Sequence, residues 1–341
     1  MDTLHQEQAR QDQPVNADTT PQPSKRIAAE TLRTICLDAG ASAAGFVEIG
    51  REALAHEKDD ILRAYPRTKT LVPVIFAMNP ENIRSLARQV SSAEFHTCGE
   101  ELSSISRTVV KRLNALGIRA LMTNQDFPMD MGRFPGKIWD VSHKLVAVEA
   151  GLGHMGINRL VLHPELGNFL RLGTILIDAE VDEPGTPLPE SPCIRCGLCA
   201  SVCPVGAVSM DKPFDFMACM THAYRDNVGG FLDMIDSVLT SKDLAAFRQR
   251  FRDNETASMW QSLMYKMNYR CGYCMAVCPV GQEPSCGYVS RKKEYLREVV
   301  LPLKNRDEQV YVAAGTAAQA RAESNPHKDV RVVPVHLVRK S

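Results

Sequence analysis

The chain has 341 residues, 44% of them hydrophobic, so it can form two domains or one elaborated domain around a proper core. Lysine and arginine together number 40, as do aspartate and glutamate, and the formal net charge is therefore zero. This balance gives no general electrostatic reason to expect nucleic acid or an anionic membrane as a partner, although it leaves a tRNA partner open.

No segment reaches the ~18 uninterrupted apolar residues of a membrane helix. Residues 1–24 are polar and contain neither the apolar core of a secretory signal nor a twin-arginine motif. These observations predict a disordered tail at 1–24 and a cytoplasmic protein.

The next part of the chain alternates between helical and extended patterns. We expect, in chain order, a helix at 25–40, strands at 43–49 and 70–77, a helix at 100–116, a strand at 118–123, a helix at 142–149, and strands at 160–163 and 172–178. This alternation favours an α/β core over residues 25–182.

A segment dense in proline, at 183–192, predicts a boundary before a cysteine-rich domain at 183–291. That domain contains a mainly helical insert at 220–267. The remaining residues, 292–341, predict a small α/β appendage, with a strand at 309–313, a helix at 316–322 and an extended segment at 330–335.

Most of the eleven cysteines lie in two runs. The first run is Cys193, Cys196, Cys199 and Cys203 followed by Pro204, and the second is Cys271, Cys274 and Cys278 followed by Pro279. The spacing C-x2-C-x2-C-x3-C-P is typical of proteins with two 4Fe–4S clusters. The sequence therefore predicts a protein that transfers electrons.

The fourth cysteine of such a run binds the neighbouring cluster, so we expect Cys203 and Cys278 to cross over. The second run is incomplete, because Asn268 stands where its first cysteine would be. Either Cys219 or Cys286 must supply the missing thiolate. Cys286 lies just beyond the second run, whereas Cys219 follows the first run by about one helix length, and we favour Cys219.

Two other interpretations of the cysteines are weaker. Paired C-x2-C motifs also form structural zinc sites, but zinc ribbons do not normally need the longer run with its terminal proline. Disulfide bonds are disfavoured because closely spaced thiols in a chain without an export signal are typical of metal ligands.

A glycine-rich turn, Gly151-Leu-Gly-His-Met-Gly156, has the G-x-G-x-x-G pattern of a dinucleotide site. That site requires a strand before the glycines and a helix after them. Here a predicted helix precedes the glycines and a predicted strand follows them. The turn instead suits close approach of backbone amides to a large flat group, or only a tight bend.

Several residues before the first cysteine run form a recognisable pattern: Ser142-His143-Lys144, Ala147, Ala150-Gly151-Leu152-Gly153, Gly156, Pro164, Gly167 and Leu172-Gly173. In this arrangement the chain resembles the epoxyqueuosine reductase and reductive dehalogenase superfamily over roughly residues 25–290. The resemblance implies an α+β protein, in which a nitroreductase-like α/β core binds cobalamin and a ferredoxin-like domain with two 4Fe–4S clusters supplies it with electrons.

The resemblance also implies roles for individual residues. One cluster would be bound by Cys193, Cys196, Cys199 and Cys278, and the other by Cys203, Cys219, Cys271 and Cys274. The cobalamin pocket, built largely from backbone, would include Gly151, Gly153, Gly156, Asn158, Gly167 and Arg171.

The proton donor is harder to place. Epoxyqueuosine reductases carry an aspartate thirteen residues before the alanine of Ala-Gly-Leu-Gly, and this chain has Lys137 there and Asp140 three residues later. We therefore consider Asp140, His143 and Lys144 as candidate catalytic groups, since histidine in particular titrates near neutral pH. His143 and Lys144 are equally suited to capping or solvating the start of a helix.

We thus expect a cobalamin-dependent reductase that takes electrons from an external ferredoxin, flavodoxin or reductase. The reaction would be reductive dehalogenation or deoxygenation of a small organic or nucleoside-like substrate, with the hard chemistry carried by the cofactor. The alternative is a non-catalytic electron-transfer protein that docks on a partner enzyme. Its weakness is the large N-terminal domain, for which a simple carrier has no use.

Overall fold

The computed structural model describes residues 25–134, 136–266, 271–281 and 288–335. The predicted tail at 1–24 and Cys286 lie outside these ranges. Over the described residues the protein is a mixed α+β fold, and no helix there is both long enough and apolar enough to span a membrane.

The described strands are Lys25–Ile27 (β1), Ala43–Ala44 (β2), Val47–Glu48 (β3), Thr70–Ala77 (β4), Ala120–Met122 (β5), His154–Met155 (β6), Val161–Leu162 (β7), Leu170–Ile177 (β8), Ala179–Val181 (β9), Glu308–Val312 (β10) and Lys328–Val332 (β11). The described α-helices are Ala29–Leu37 (α1), Lys58–Ala64 (α2), Pro80–Arg84 (α3), Arg88–Ala115 (α4), His143–Glu149 (α5), Leu198–Val202 (α6), Phe216–Ala223 (α7), Val228–Thr240 (α8), Leu244–Arg250 (α9), Asp253–Met264 (α10), Tyr273–Ala276 (α11), Lys292–Tyr295 (α12), Leu301–Lys304 (α13) and Ala317–Glu323 (α14). Short 3₁₀ turns occupy Glu52–Leu54 and Met131–Arg133, and a π-helical stretch, Leu296–Val300, joins α12 to α13.

The central sheet has the order β2-β4-β8-β5, and β3 also pairs with β4. All of these pairings are antiparallel. The central sheet is therefore antiparallel, and the alternation of helices and strands in the sequence did not specify the direction of its strands. Local periodicity identifies the elements, but the direction in which each strand joins the sheet depends on distant pairing.

Strand β4 is buried on both faces, as its continuous apolar run TLVPVIFA predicts. Val72 and Val74 face a core that includes α1 and α4. Leu71 and Ile75 point the opposite way, into a core that includes α2 and α5.

Two helical predictions need correction. Lys25–Ile27 is a strand that pairs in parallel with Ala179–Val181, and the helix begins only at Ala29. Helix α4 begins at Arg88, twelve residues before the predicted start at 100. The prediction missed its first half because the two halves of the helix face different cores. Phe95 packs among the cysteine-bearing segments, and Leu102 packs against the central sheet.

The predicted helical insert is divided among the end of α7 and helices α8, α9 and α10. The C-terminal segment forms a β-α-β unit, in which β10 and β11 pair in parallel and α14 connects them. Val310 and Ala322 of this unit share an apolar core with the buried Cys199 and Cys203. The C-terminal unit thus packs directly against the cysteine-bearing segments.

Candidate iron–sulfur centre and active site

The first group of cysteines surrounds one small cavity. Cys193, Cys196, Cys199 and Cys278 all line it. The pKa of the Cys278 thiol is raised to about 12, mainly by burial, and the other three thiols act in the same direction because a second negative charge nearby is unfavourable. The structure therefore brings together the four cysteines expected at one cluster, including the crossover from the second run.

The second group consists of Cys203, Cys219, Cys271 and Cys274. Burial is the main cause that raises the pKa of Cys271 well above its ordinary value, and the thiols of Cys274, Cys219 and Cys203 act in the same direction. Cys219 lies on α7, whose first turn is capped by Asp215, with the carboxylate accepting a 2.9 Å hydrogen bond from the Ala218 amide. The structure thus places Cys219 beside the three cysteines that need a fourth partner.

The donor set suits two 4Fe–4S clusters. Every cysteine that the structure describes is a free thiol, and the eight named above form two groups of four. Within the described ranges, no three histidine, cysteine, aspartate or glutamate side chains converge closely enough to hold a single metal ion. A 4Fe–4S cluster makes a different demand, because its four thiolates bind four separate iron atoms. Cluster binding would require these cysteines as thiolates.

A buried network of charges lies behind the second group, and no sequence motif indicates it. Lys328 donates a 2.9 Å hydrogen bond to the hydroxyl of Tyr273, which lies between two of the cysteines and also contacts Glu308. The guanidinium of Arg306 stacks 4.5 Å from the centre of the Tyr273 ring. Because Tyr273 lies in a C-x2-C loop, this network ties the second group to the C-terminal β-α-β unit.

Asp140 belongs to a cluster of charged side chains. It pairs with Arg63 and lies 3.5 Å from a terminal nitrogen of Arg133. Lys137, which replaces the aspartate of the resembled reductases, donates a 2.7 Å hydrogen bond to Asp60. Both residues are thus held by neighbours that are distant in sequence.

His143 is the first residue of α5, and both of its ring nitrogens have partners. Nε2 lies 2.9 Å from the Asn124 carbonyl oxygen, which can only accept, so Nε2 carries the proton. Nδ1 then accepts from the Thr174 hydroxyl at 2.9 Å. Burial lowers the pKa of His143, and the positive charge of Arg171 also lowers it, so the ring is neutral at neutral pH.

Lys144 points to a different environment. Its ammonium donates a 2.8 Å hydrogen bond to the Arg159 carbonyl and interacts electrostatically with the thiols of Cys274 and Cys219. Desolvation lowers the pKa of Lys144, and the two thiols oppose that change. The candidate proton donors Asp140, His143 and Lys144 are therefore not brought together around one point.

The four candidate glycines are closed in by the protein itself. A side chain at Gly151 would meet the Thr186 carbonyl oxygen at 2.4 Å, and one at Gly153 would meet the Leu162 carbonyl oxygen at 2.6 Å. At Gly167 the Val280 carbonyl oxygen lies 2.0 Å from the Cβ position. Gly156 is similarly filled, by the Asn158 side chain at 2.8 Å. On this side the four glycines permit close packing of the chain's own backbone and side chains.

Asn158 also differs from its expected position. It is 4% exposed, lines the cavity of the first cysteine group, and donates a 3.2 Å hydrogen bond to the carbonyl of Cys274 in the second group. It therefore connects the two cysteine groups.

Arg171, on β8, belongs to a separate polar cluster. Its guanidinium lies 3.5 Å from the Asp126 carboxylate and fills the space beside Gly99. Gln125 lies over Gly173 on the same strand, and both side-chain amide atoms of Gln125 are buried with no hydrogen-bond partner in the described part of the chain. We call Gln125, Asp126, His143 and Arg171 the Arg171 group. Its orphaned amide can bind a polar group of a substrate or cofactor.

The sequence singled out only two members of this group, His143 and Arg171. Gln125 and Asp126 follow β5 and become candidates only when antiparallel pairing sets β5 beside β8. A polar triplet, Asn124-Gln-Asp126, directly after a strand was the available signal.

Comparison with known proteins agrees with this picture. Residues 189–209 match the 4Fe-4S binding domain family. An epoxyqueuosine reductase from Listeria monocytogenes is 24% identical over 194 residues, which cover 57% of this chain and 40% of that protein. The chain is thus homologous, at low identity, to the epoxyqueuosine reductases, which are oxidoreductases. It spans less than half the length of the relatives that it matches.

Solved structures with similar folds include an epoxyqueuosine reductase from Streptococcus thermophilus, at 15% identity and a TM-score of 0.45, which covers 81% of this chain and 79% of that one. A catabolic reductive dehalogenase in complex with 3-bromo-4-hydroxybenzoic acid has 12% identity and a TM-score of 0.48, and covers 81% of this chain and 36% of the other.

Proposed function

Because this chain is a distant member of the epoxyqueuosine reductase and reductive dehalogenase family, we propose that it is an iron–sulfur reductase acting on a small organic or nucleoside-like substrate. The observation that carries the proposal is the grouping of eight cysteines into two sets of four, one of which lies beside Lys144 at the start of α5. The Arg171 group lies at the same end of α5, because His143, the first residue of the helix, is one of its members.

The two cysteine groups suggest a direction of electron flow. The loop of the first group presents Ile194, which is 53% exposed, and the exposed Arg195. The second group is the one that interacts with α5. We propose that an external ferredoxin, flavodoxin or reductase delivers electrons at the first cluster, and that they leave from the second cluster toward the Arg171 group.

Within the Arg171 group, the residues would bind and orient the substrate. The orphaned amide of Gln125 can donate to and accept from a polar substituent, and Arg171 can pair with an anionic one. His143 holds the Asn124 carbonyl and β8 together through its two hydrogen bonds. The proton on Nε2 is already donated to the Asn124 carbonyl, so we assign His143 to positioning the Arg171 group.

Cobalamin is the further cofactor that we propose, and its support is the resemblance alone. A bound corrinoid would supply a strongly reducing centre for dehalogenation or deoxygenation. The glycines of the Ala150–Gly156 turn pack on the chain's own atoms where a Cβ would lie, so only their backbone amides could approach a corrinoid. The buried amide of Gln125 is a further group that could hold it.

Anaerobic reconstitution with iron and sulfide tests the proposal. We expect ~8 iron and ~8 sulfide per chain, and stoichiometric zinc without sulfide would overturn it. Loaded protein is then passed through gel filtration with cobalamin and analysed for cobalt. Retained corrinoid would support a cobalamin-dependent reductase, and the electron paramagnetic resonance spectrum of the Co(II) form should be that of a base-off corrinoid.

The second candidate function is electron transfer to a partner enzyme. The two groups of four cysteines favour it, because a pair of clusters is all that an electron carrier requires. Fully cluster-loaded protein that retains no corrinoid would make this candidate the better one. A Gln125→Leu variant that keeps its iron but loses cobalt retention would instead place the corrinoid at the Arg171 group.

A further inference from the structure

Helix α5 begins with two residues whose side chains serve different partners. His143 is hydrogen-bonded on both nitrogens within the Arg171 group. Lys144 has its ammonium at the Arg159 carbonyl, 2.8 Å away, and near the thiols of Cys219 and Cys274. Two adjacent residues at the start of α5 thus interact with the Arg171 group and with the second cysteine group, respectively.

The position of the Lys144 ammonium is fixed by a short chain of contacts. Arg159 adopts a left-handed conformation, with φ of 61°, and its carbonyl accepts from Lys144. The preceding residue, Asn158, donates a 3.2 Å hydrogen bond to the Cys274 carbonyl. The Asn158–Arg159 turn therefore holds the ammonium on one side and the cysteine loop on the other.

Other charges also act on the second group. Asp215 acts on Cys219 and Glu308 acts on Cys271 as negative charges, and Lys328, which pairs with Glu308, acts on Cys271 as a positive charge. Lys144 acts on Cys219 and Cys274 as a positive charge. A cluster gains one negative charge on reduction, so a nearby cation favours the reduced form and nearby carboxylates oppose it.

We propose that Lys144 is a positioning charge that raises the reduction potential of the second cluster, and that it is not the proton donor to substrate. This inference rests on the proposed two-cluster reductase. The ammonium donates a 2.8 Å hydrogen bond to the Arg159 carbonyl and interacts electrostatically with Cys219 and Cys274, so its positive charge would favour the reduced cluster.

The test is a redox titration of the full chain, reconstituted with iron and sulfide and followed by electron paramagnetic resonance. Lys144→Arg, Lys144→Gln and Lys144→Glu keep, remove and reverse the charge. We expect Lys144→Gln to make reduction of one cluster about tenfold less favourable, which is ~59 mV for a one-electron couple. Lys144→Glu should shift the potential further in the negative direction, and Lys144→Arg should stay near the wild-type value.

Two controls make the outcome specific. Lys137→Gln removes a lysine that pairs with Asp60, away from the cysteines, and should leave both potentials unchanged. A Cys219→Ala chain, which should lack the second cluster, identifies which signal belongs to it. If Lys144→Gln does not load iron, the Arg and Glu variants still compare opposite charges.

The proposal is overturned if neither potential follows the charge at position 144, if both clusters shift equally, or if the arginine variant shifts as far as the glutamine variant. These titrations need no corrinoid and no substrate. Failure of the wild-type chain to bind two clusters would instead refute the proposed function, so the two failures are distinguishable.

Discussion

Gly167 offers a sharp test of how the first cluster is assembled. Its φ is +62°, and an added Cβ would lie 2.0 Å from the Val280 carbonyl oxygen. Ordinary contact begins at 3.4 Å, so the carbonyl would have to retreat by 3.4 − 2.0, or about 1.4 Å. Cys278 is two residues before Val280, and metal–ligand distances tolerate only ~0.2 Å. We therefore expect Gly167→Ala to lose the first cluster, about four of ~8 iron atoms.

Gly117→Ala is the matched control. Gly117 also has a positive φ, +77°, but nothing lies within 4 Å of its Cβ position. Both substitutions cost about 1–2 kcal/mol in backbone strain, and only one displaces the crossover cysteine. Iron and sulfide analysis with electron paramagnetic resonance separates the two effects. A Gly167→Ala chain with full iron content and an unchanged spectrum would refute this account.

Three further predictions concern ligation and stability. Cys219→Ala should lower the iron content by about four atoms and Cys286→Ala by none, and the reverse pattern would identify Cys286 as the ligand. Arg225→Met should destabilise the chain by ~3–5 kcal/mol in anaerobic urea titrations, because the Asp233 carboxylate, 2.7 Å from Arg225, would be buried without its partner; an unchanged midpoint would count against this. Burial lowers the pKa of His222 to about 4 from 6.5, so only the unfolded chain gains a proton as the pH falls from 7 to 5. Wild type should lose about 2 kcal/mol over that range, and His222→Asn should not; parallel pH profiles would contradict it.

Local sequence patterns were enough to predict those elements in which a single pattern runs from end to end. Strand β4 has the predicted bounds, because eight consecutive residues with apolar, β-branched character can only be covered on both faces. Helix α5 ends at Glu149 as predicted, before the glycine turn, and Gly117 follows the end of α4. The cysteine groups were also predictable, because their spacing encodes the crossover between clusters.

Features that depend on distant parts of the chain were not predictable. The first half of α4 was missed because Phe95 and Cys98 pack on a different core from Leu102, which breaks the single stripe that identifies an amphipathic helix. The partners of Asp140 come from Arg63 and Arg133, and no spacing rule relates them. Sequence reasoning could rank Asp140 as a candidate acid, but it could not see that two arginines hold the carboxylate.

The contacts at the glycine-rich turn, Gly151–Gly156, change how the motif is interpreted. A motif of small residues predicts close approach of backbone to something, and the sequence alone does not say to what. Here the approaching groups are the chain's own carbonyls, at Gly151 and Gly153. The turn then leads to Asn158, which lines the first cysteine group and donates to the Cys274 carbonyl of the second. The turn therefore leads into a residue that links the two cysteine groups, and substitutions in the turn should first be judged by iron content and only then by cofactor binding.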